Sequence, residues 1–117
     1  MNNNEFIKVS IKDSPVYEPE GHEHTYNRRL VGPFNGSEHL EFIVGEMHKG
    51  GGAKKHCHTE LDQIIYMLEG ELRIISPQQD ETITPGDLVL FLKGIEHEVH
   101  CESELARFVV IYGPPKQ

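Results

Sequence analysis

The sequence predicts an all-β domain, a sandwich or a jelly-roll barrel. Three observations carry this reading. Short runs with two-residue alternation recur along the chain, turn-forming residues bound each run, and no segment keeps apolar spacing at three and four residues for three turns. With 117 residues the chain is long enough for one core and too short for two of ordinary size, so residues 1–117 read as a single domain. A hydrophobic share of 37%, a charged share of 26%, 11 Gly and 7 Pro suit a soluble domain rich in turns.

Residues 1–29 read as an arm. Phe6-Ile7-Lys8-Val9-Ser10-Ile11 alternates weakly as a short strand, Pro15 and Pro19 break it, and a polar loop follows through Glu20-Gly21-His22-Glu23-His24. Residues 40–112 read as the barrel. Leu40, Phe42 and Val44 share one face of a period-two run that is expected to stop at Gly50-Gly51-Gly52. Further strands are expected at 55–58, 63–68, 71–75, 88–92, 97–101 and 106–112. Between them lie turns at Glu69-Gly70, Ser76-Pro77, Pro85-Gly86-Asp87 and Lys93-Gly94, and Gly113-Pro114-Pro115 ends the last strand. Curling many short antiparallel strands into a barrel removes the sheet edges that promote aggregation.

A formal net charge of −8 repels polyanions, and no basic patch offsets it, so nucleic acid is excluded as a partner. The basic pairs Arg28-Arg29 and Lys54-Lys55 read as solvated faces, and an anionic small molecule stays compatible with the charge. No apolar run is long enough to span a bilayer, and Met1-Asn2-Asn3-Asn4-Glu5 does not open a secretion signal. The expectation is a cytoplasmic protein without a membrane partner. Cys57 and Cys101 are too few for a disulfide framework.

His56 and His58 are one residue apart, so on a strand both imidazoles face the same way and Cys57 faces the other. His97 opens a later strand and shares its face with Val99 and Cys101, while Glu98 and His100 point away. Three imidazoles converging in a barrel suit a divalent transition metal and are costly to bury without one or without hydrogen-bond partners. Surface histidines are the competing reading, since the chain carries 8 His.

The spacing around these residues resembles the cupin family. Its first motif runs Gly, five residues, His-x-His, three or four residues, Glu, six residues, Gly; Gly50, His56, His58 and Gly70 fit it, and Gln63 stands where Glu is expected. Its second motif runs Gly, five residues, Pro, x, Gly, two residues, His, three residues, Asn. Gly86, Gly94 and His97 fit it, with Leu92 in place of Pro and Cys101 in place of Asn. The resemblance implies a cupin double-stranded β-helix, that is, a jelly-roll barrel. It also implies one divalent metal (Ni, Zn, Fe or Mn) held by His56, His58, Gln63 and His97.

A neutral Gln63 leaves such a centre near plus two, where Glu would leave it near plus one. That strengthens a Lewis acid and removes a carboxylate that could accept a proton. A base would then come from elsewhere, with Asp62, Glu46, His48 and Tyr26 as candidates. The Gln variant is similar to small cupins that include proteins acting on unsaturated uronate sugars. The expected function is an enzyme polarising a carbonyl or enolate of a small oxygen-rich substrate, by isomerisation, lysis or uronate-type conversion. A dioxygenase of phenolic or diketone substrates and a non-catalytic small-molecule-binding cupin are the alternatives.

His22 and His24 read as part of a solvated loop, and His39 and His100 as surface. Cys101 reads as a small buried thiol, and Phe91 and Phe108 as core or barrel wall. Small cupins commonly form homodimers, and the segment from Phe6 to Ile11 could add a strand to a partner's sheet.

Overall fold

Antiparallel strand pairing organises almost the whole chain in the computed structural model, which describes residues 5–116. The reading of the chain's opening extends to Met1–Asn4, which lie outside the described residues. Nine strands run in order as β1 (Val16–Tyr17), β2 (His22–Val31), β3 (Glu41–His56), β4 (Asp62–Glu69), β5 (Leu72–Ser76), β6 (Gln79–Ile83), β7 (Leu88–Phe91), β8 (His97–Cys101) and β9 (Leu105–Gly113). Two 3-10 turns, Ile11–Asp13 and Pro33–Asn35, complete the regular structure among the described residues. No helix there is long and apolar enough to cross a membrane.

The sheet follows the order β6-β5-β8-β3-β9-β4-β7, with β1 and β2 added alongside β3. The long strand β3 joins the two halves of the barrel. Its first part pairs with β9 from Glu41 to His48, and its last part pairs with β8 from Gly52 to His56. This is the predicted jelly-roll barrel.

Several local expectations are corrected. Gly50-Gly51-Gly52 does not end a strand, because β3 continues through it. The lack of side chains is what the crossing needs: a Cβ on Gly51 would lie 2.6 Å from the Glu23 carbonyl oxygen, and one on Gly52 2.4 Å from that of Val99. No separate strand covers 55–58; His56 ends β3, and Cys57 and His58 follow it. Nor does residue 6 open a strand, since the first turn of regular structure is the 3-10 turn at Ile11–Asp13. The expected loop through His22 and His24 is part of β2, which pairs with β3 from His22↔Ala53 to Val31↔Phe42.

The buried face of the run in β3 is not that of Leu40, Phe42 and Val44. Glu41, Ile43 and Met47 turn inward instead. The barrel is filled by Met47, Met67, Leu72, Ala106 and their neighbours, including Phe91 and Phe108. Burying each large side chain stabilises the fold by about 1.5–3 kcal/mol. Cys101 is buried and Cys57 exposed, both as free thiols.

Candidate metal centre and cavity

The strand register sets His56 opposite His97, on neighbouring strands at one end of the barrel. Their ring centroids are 4.5 Å apart, and His58 lies 4.9 Å from His56 and 5.9 Å from His97. One ring nitrogen from each comes within 4.8 Å of the others. The sequence expectation that these three converge is met, although His58 sits just beyond the strand that carries His56.

For His56 and His97, backbone carbonyls decide which nitrogen the ring offers. The Nδ1 of His97 lies 3.0 Å from the Ile95 carbonyl oxygen, and that of His56 bonds to the Lys54 carbonyl. A carbonyl only accepts, so each Nδ1 carries the proton and each Nε2 keeps a free lone pair. This is the usual preparation of a metal-ligating imidazole.

Three buried atoms at this end lack hydrogen-bond partners: His58 Nε2, His97 Nε2 and Gln63 Oε1. Each orphaned group costs about 1–3 kcal/mol. A cation held by the histidines would relieve this cost, and a donor set of imidazole nitrogen with a nearby amide oxygen is compatible with a divalent metal of the first-row transition series. Gln63 is 6% exposed. Burial, followed by the charges of His56, Lys116 and His97, pushes the His58 pKa down to about 4. Burial also lowers that of His97. Both rings are therefore neutral near pH 7, the state that binds metal.

A cavity of about 300 Å³ opens beside these residues and runs into the barrel. Ile65, Val110 and Phe108 give it apolar walls, while Tyr112, Arg29 and Glu41 give it polar ones. Tyr112 touches the histidine cluster, its ring centroid 5.4 Å from that of His58. Burial and the carboxylate of Glu41 raise the phenol's pKa, which keeps it a hydrogen-bond donor.

Arg29 departs from its expectation as a solvated residue. Its Nε donates to Glu41 Oε2 at 2.7 Å, and its Nη2 to the Tyr17 hydroxyl at 3.2 Å. Glu41 is 1% exposed and also accepts from the Lys116 backbone N–H at 2.8 Å. Lys54 and Lys55 are exposed, as expected, and border the mouth beside His56.

The four candidate bases do not line the cavity. Asp62 accepts the Lys93 backbone N–H at 3.0 Å, as a hydrogen-bonding role would have it. Glu46 and His48 pair with each other at 3.0 Å on the outer face, where Tyr26 packs against His48. Glu18, Glu20 and Glu41 do line the cavity, and so does His22, 6.2 Å from His56 between ring centroids. Its Nδ1 donates to the Glu20 carbonyl at 2.9 Å, which leaves Nε2 as an acceptor, and burial lowers its pKa. Only the pairing of β2 with β3, a long-range contact without a local signal, carries His22 there.

The chain matches the cupin domain family over residues 43–112. No curated protein matches the sequence significantly. Among solved structures it is similar to KdgF from Halomonas sp., with a TM-score of 0.81 and 14% identity over 92% of this chain and 94% of that one. The polyketide cyclase RemF from Streptomyces resistomycificus gives 0.81 and 22% over 94% and 80%. Ectoine synthase from P. lautus gives 0.81 and 18% over 94% and 79%. A shared barrel, converging histidines at its mouth and a family match across most of the strands lead to one conclusion: this chain belongs to the cupin domain family.

Proposed function

We propose that the protein is a metal-dependent enzyme that rearranges a small oxygen-rich substrate without net redox change. The observation that supports this most is the set of three unpartnered buried atoms, His58 Nε2, His97 Nε2 and Gln63 Oε1, at the end of the barrel where the cavity opens. His56, His58, His97 and Gln63 would hold the metal, whose contribution when bound is Lewis-acid polarisation of a carbonyl or enolate oxygen. Neutral Gln63 favours this electrophilic role over oxygen chemistry.

The chain's own groups divide the remaining work. Tyr112, whose ring packs against His58, offers its hydroxyl to the cavity as a hydrogen-bond donor. His22 accepts a proton at Nε2, with Nδ1 fixed on Glu20. Ile65 and Val110, two residues inward of Gln63 and Tyr112, would keep water from the reacting carbon. Isomerisation, lysis and ring closure all need these three contributions, and one structural neighbour bears the name of a cyclase. The uronate-type conversion implied by the sequence resemblance is of the same kind.

Elemental analysis of wild type and His97→Ala tests the centre. Wild type should carry about one divalent ion and the variant much less; a wild type that takes up none of Ni, Zn, Fe or Mn on refolding would end this reading. Anaerobic turnover of an unsaturated uronate is the expected activity. Oxygen uptake with phenolic or diketone substrates would instead establish a dioxygenase, and metal-loaded protein that binds ligands without turnover a binding module.

Homodimerisation is part of the same proposal. Phe6 and Ile7 are 80% and 59% exposed, which is unusual for such side chains unless another surface covers them. Sedimentation that finds only monomer removes it.

A further inference from the structure

Asn27 is an unusual inward-facing residue. It is 7% exposed, its Oδ1 is buried without a hydrogen-bond partner, and it lines the same cavity as His56 and Gln63. It does so from another level of the barrel. Gln63, Tyr112 and Glu41 lie side by side across β4, β9 and β3, while Met67, Phe108, Gly45 and Asn27 form a second row across β4, β9, β3 and β2. Four residues of strand separate the rows, about 13 Å at the usual rise.

Gly45 leaves the space that Asn27 faces. A Cβ there would stand 2.9 Å from Asn27 Oδ1 and 2.4 Å from the Phe108 ring. Tyr17 is the strand partner of Asn27, and its phenol is held by Arg29 Nη2 at 3.2 Å; no donor among the described residues reaches Asn27 Oδ1.

We propose that Asn27 Oδ1 is a specificity determinant, accepting a hydrogen bond from a hydroxyl at the inner end of a ligand that stretches along the cavity from the histidine cluster. The ligand class is a small polyhydroxy acid with a single carboxylate. At the mouth, Lys54, Lys55 and Lys116 outnumber the single carboxylate of Glu20 beside His56 and His58, in a chain of net charge −8, a local excess of positive charge that favours an anion. Between the two rows the cation among the described lining residues is Arg29, already neutralised by Glu41 at 2.7 Å. A second carboxylate finds no free positive charge there, whereas a hydroxyl finds an acceptor. The assignment of the outer end rests on the metal-dependent reading above; that of Asn27 does not.

Calorimetric titration with D-gluconate, D-glucarate and hexanoate tests it, on metal-loaded and metal-free protein. Wild type should bind gluconate at least tenfold more tightly than either of the others. Asn27→Leu should abolish the preference over hexanoate, and Asn27→Asp, which keeps an acceptor, should retain most of it. Equal affinities in wild type, no binding of any probe, or a preference that survives in Asn27→Leu would each overturn the proposal. Elemental analysis of the same samples separates this from failure of the metal centre. If no metal is taken up but the gluconate preference still depends on residue 27, the proposal stands and the metal reading falls.

Discussion

The ring of Phe91 lies flat against the imidazole of His97, with centroids 3.8 Å apart and 7° between the planes. The stack and the Ile95 carbonyl fix this imidazole from two directions, one setting the plane and the other the proton. Phe91 is therefore a positioning residue for the centre as well as a core residue.

Replacing it separates the two roles. Phe91→Ala should cost about 3–5 kcal/mol of stability, read by denaturant unfolding. Phe91→Leu should cost about 1 kcal/mol yet still weaken metal affinity by about tenfold, the usual size of an outer-contact effect. Unchanged affinity in a folded Phe91→Leu protein would mean that the stack does not orient His97.

Gln63→Glu exchanges an amide oxygen for a carboxylate at the same place. The variant should bind a divalent ion at least tenfold more tightly. Without metal it should be less stable than wild type, because a charged group is then buried at a 6% exposed position. Competition against a chelator and metal-free melting curves read the two effects separately.

Acid should destabilise the metal-free protein. The folded pKa of His58 is about 4 against 6.5 unfolded, and those of His97 and His22 are also lowered. Across that interval the unfolded chain binds more protons than the native one, so stability rises with pH. It is thus complete above about 6.5 and falls as the pH drops toward 4. Melting temperatures from pH 7.5 to 4.5 should show this decline, with a shallower slope in His58→Gln.

Removing Arg29 takes the ion-pair partner from a buried carboxylate. Glu41 is 1% exposed, so Arg29→Met should destabilise by about 3–5 kcal/mol. Adding Glu41→Gln should recover much of the loss, because the charge left behind is then gone. A double variant as unstable as Arg29→Met would show that packing, not charge, is what Arg29 supplies.

Sequence patterns were most informative where a strand has one face in and one face out. β8 runs His97–Cys101 as the alternation requires, with His97, Val99 and Cys101 buried. The motif spacing likewise named the three histidines whose ring nitrogens converge. β6 escaped because Gln79–Ile83 buries only Ile83, so its polar sequence has no alternation to detect. β2 escaped because its inward residues are Thr25, Asn27 and Arg29, polar groups that line a cavity and so resemble a loop. Glu41 and His22 were hidden for the same reason: a polar side chain facing an internal space looks, in sequence, like one facing water.

A single strand, β3, carries Glu41 at its first residue and His56 at its last. The Arg29–Glu41 ion pair and the histidine cluster are therefore two fittings on one rail, bent at Gly50-Gly51-Gly52. Deleting one glycine would shift the downstream half by a residue and turn His56 outward while leaving Glu41 in place. The length of that hinge is thus a hidden constraint on how this barrel can diversify: its walls can change residue by residue, but the distance along the rail cannot change in single steps without losing a ligand.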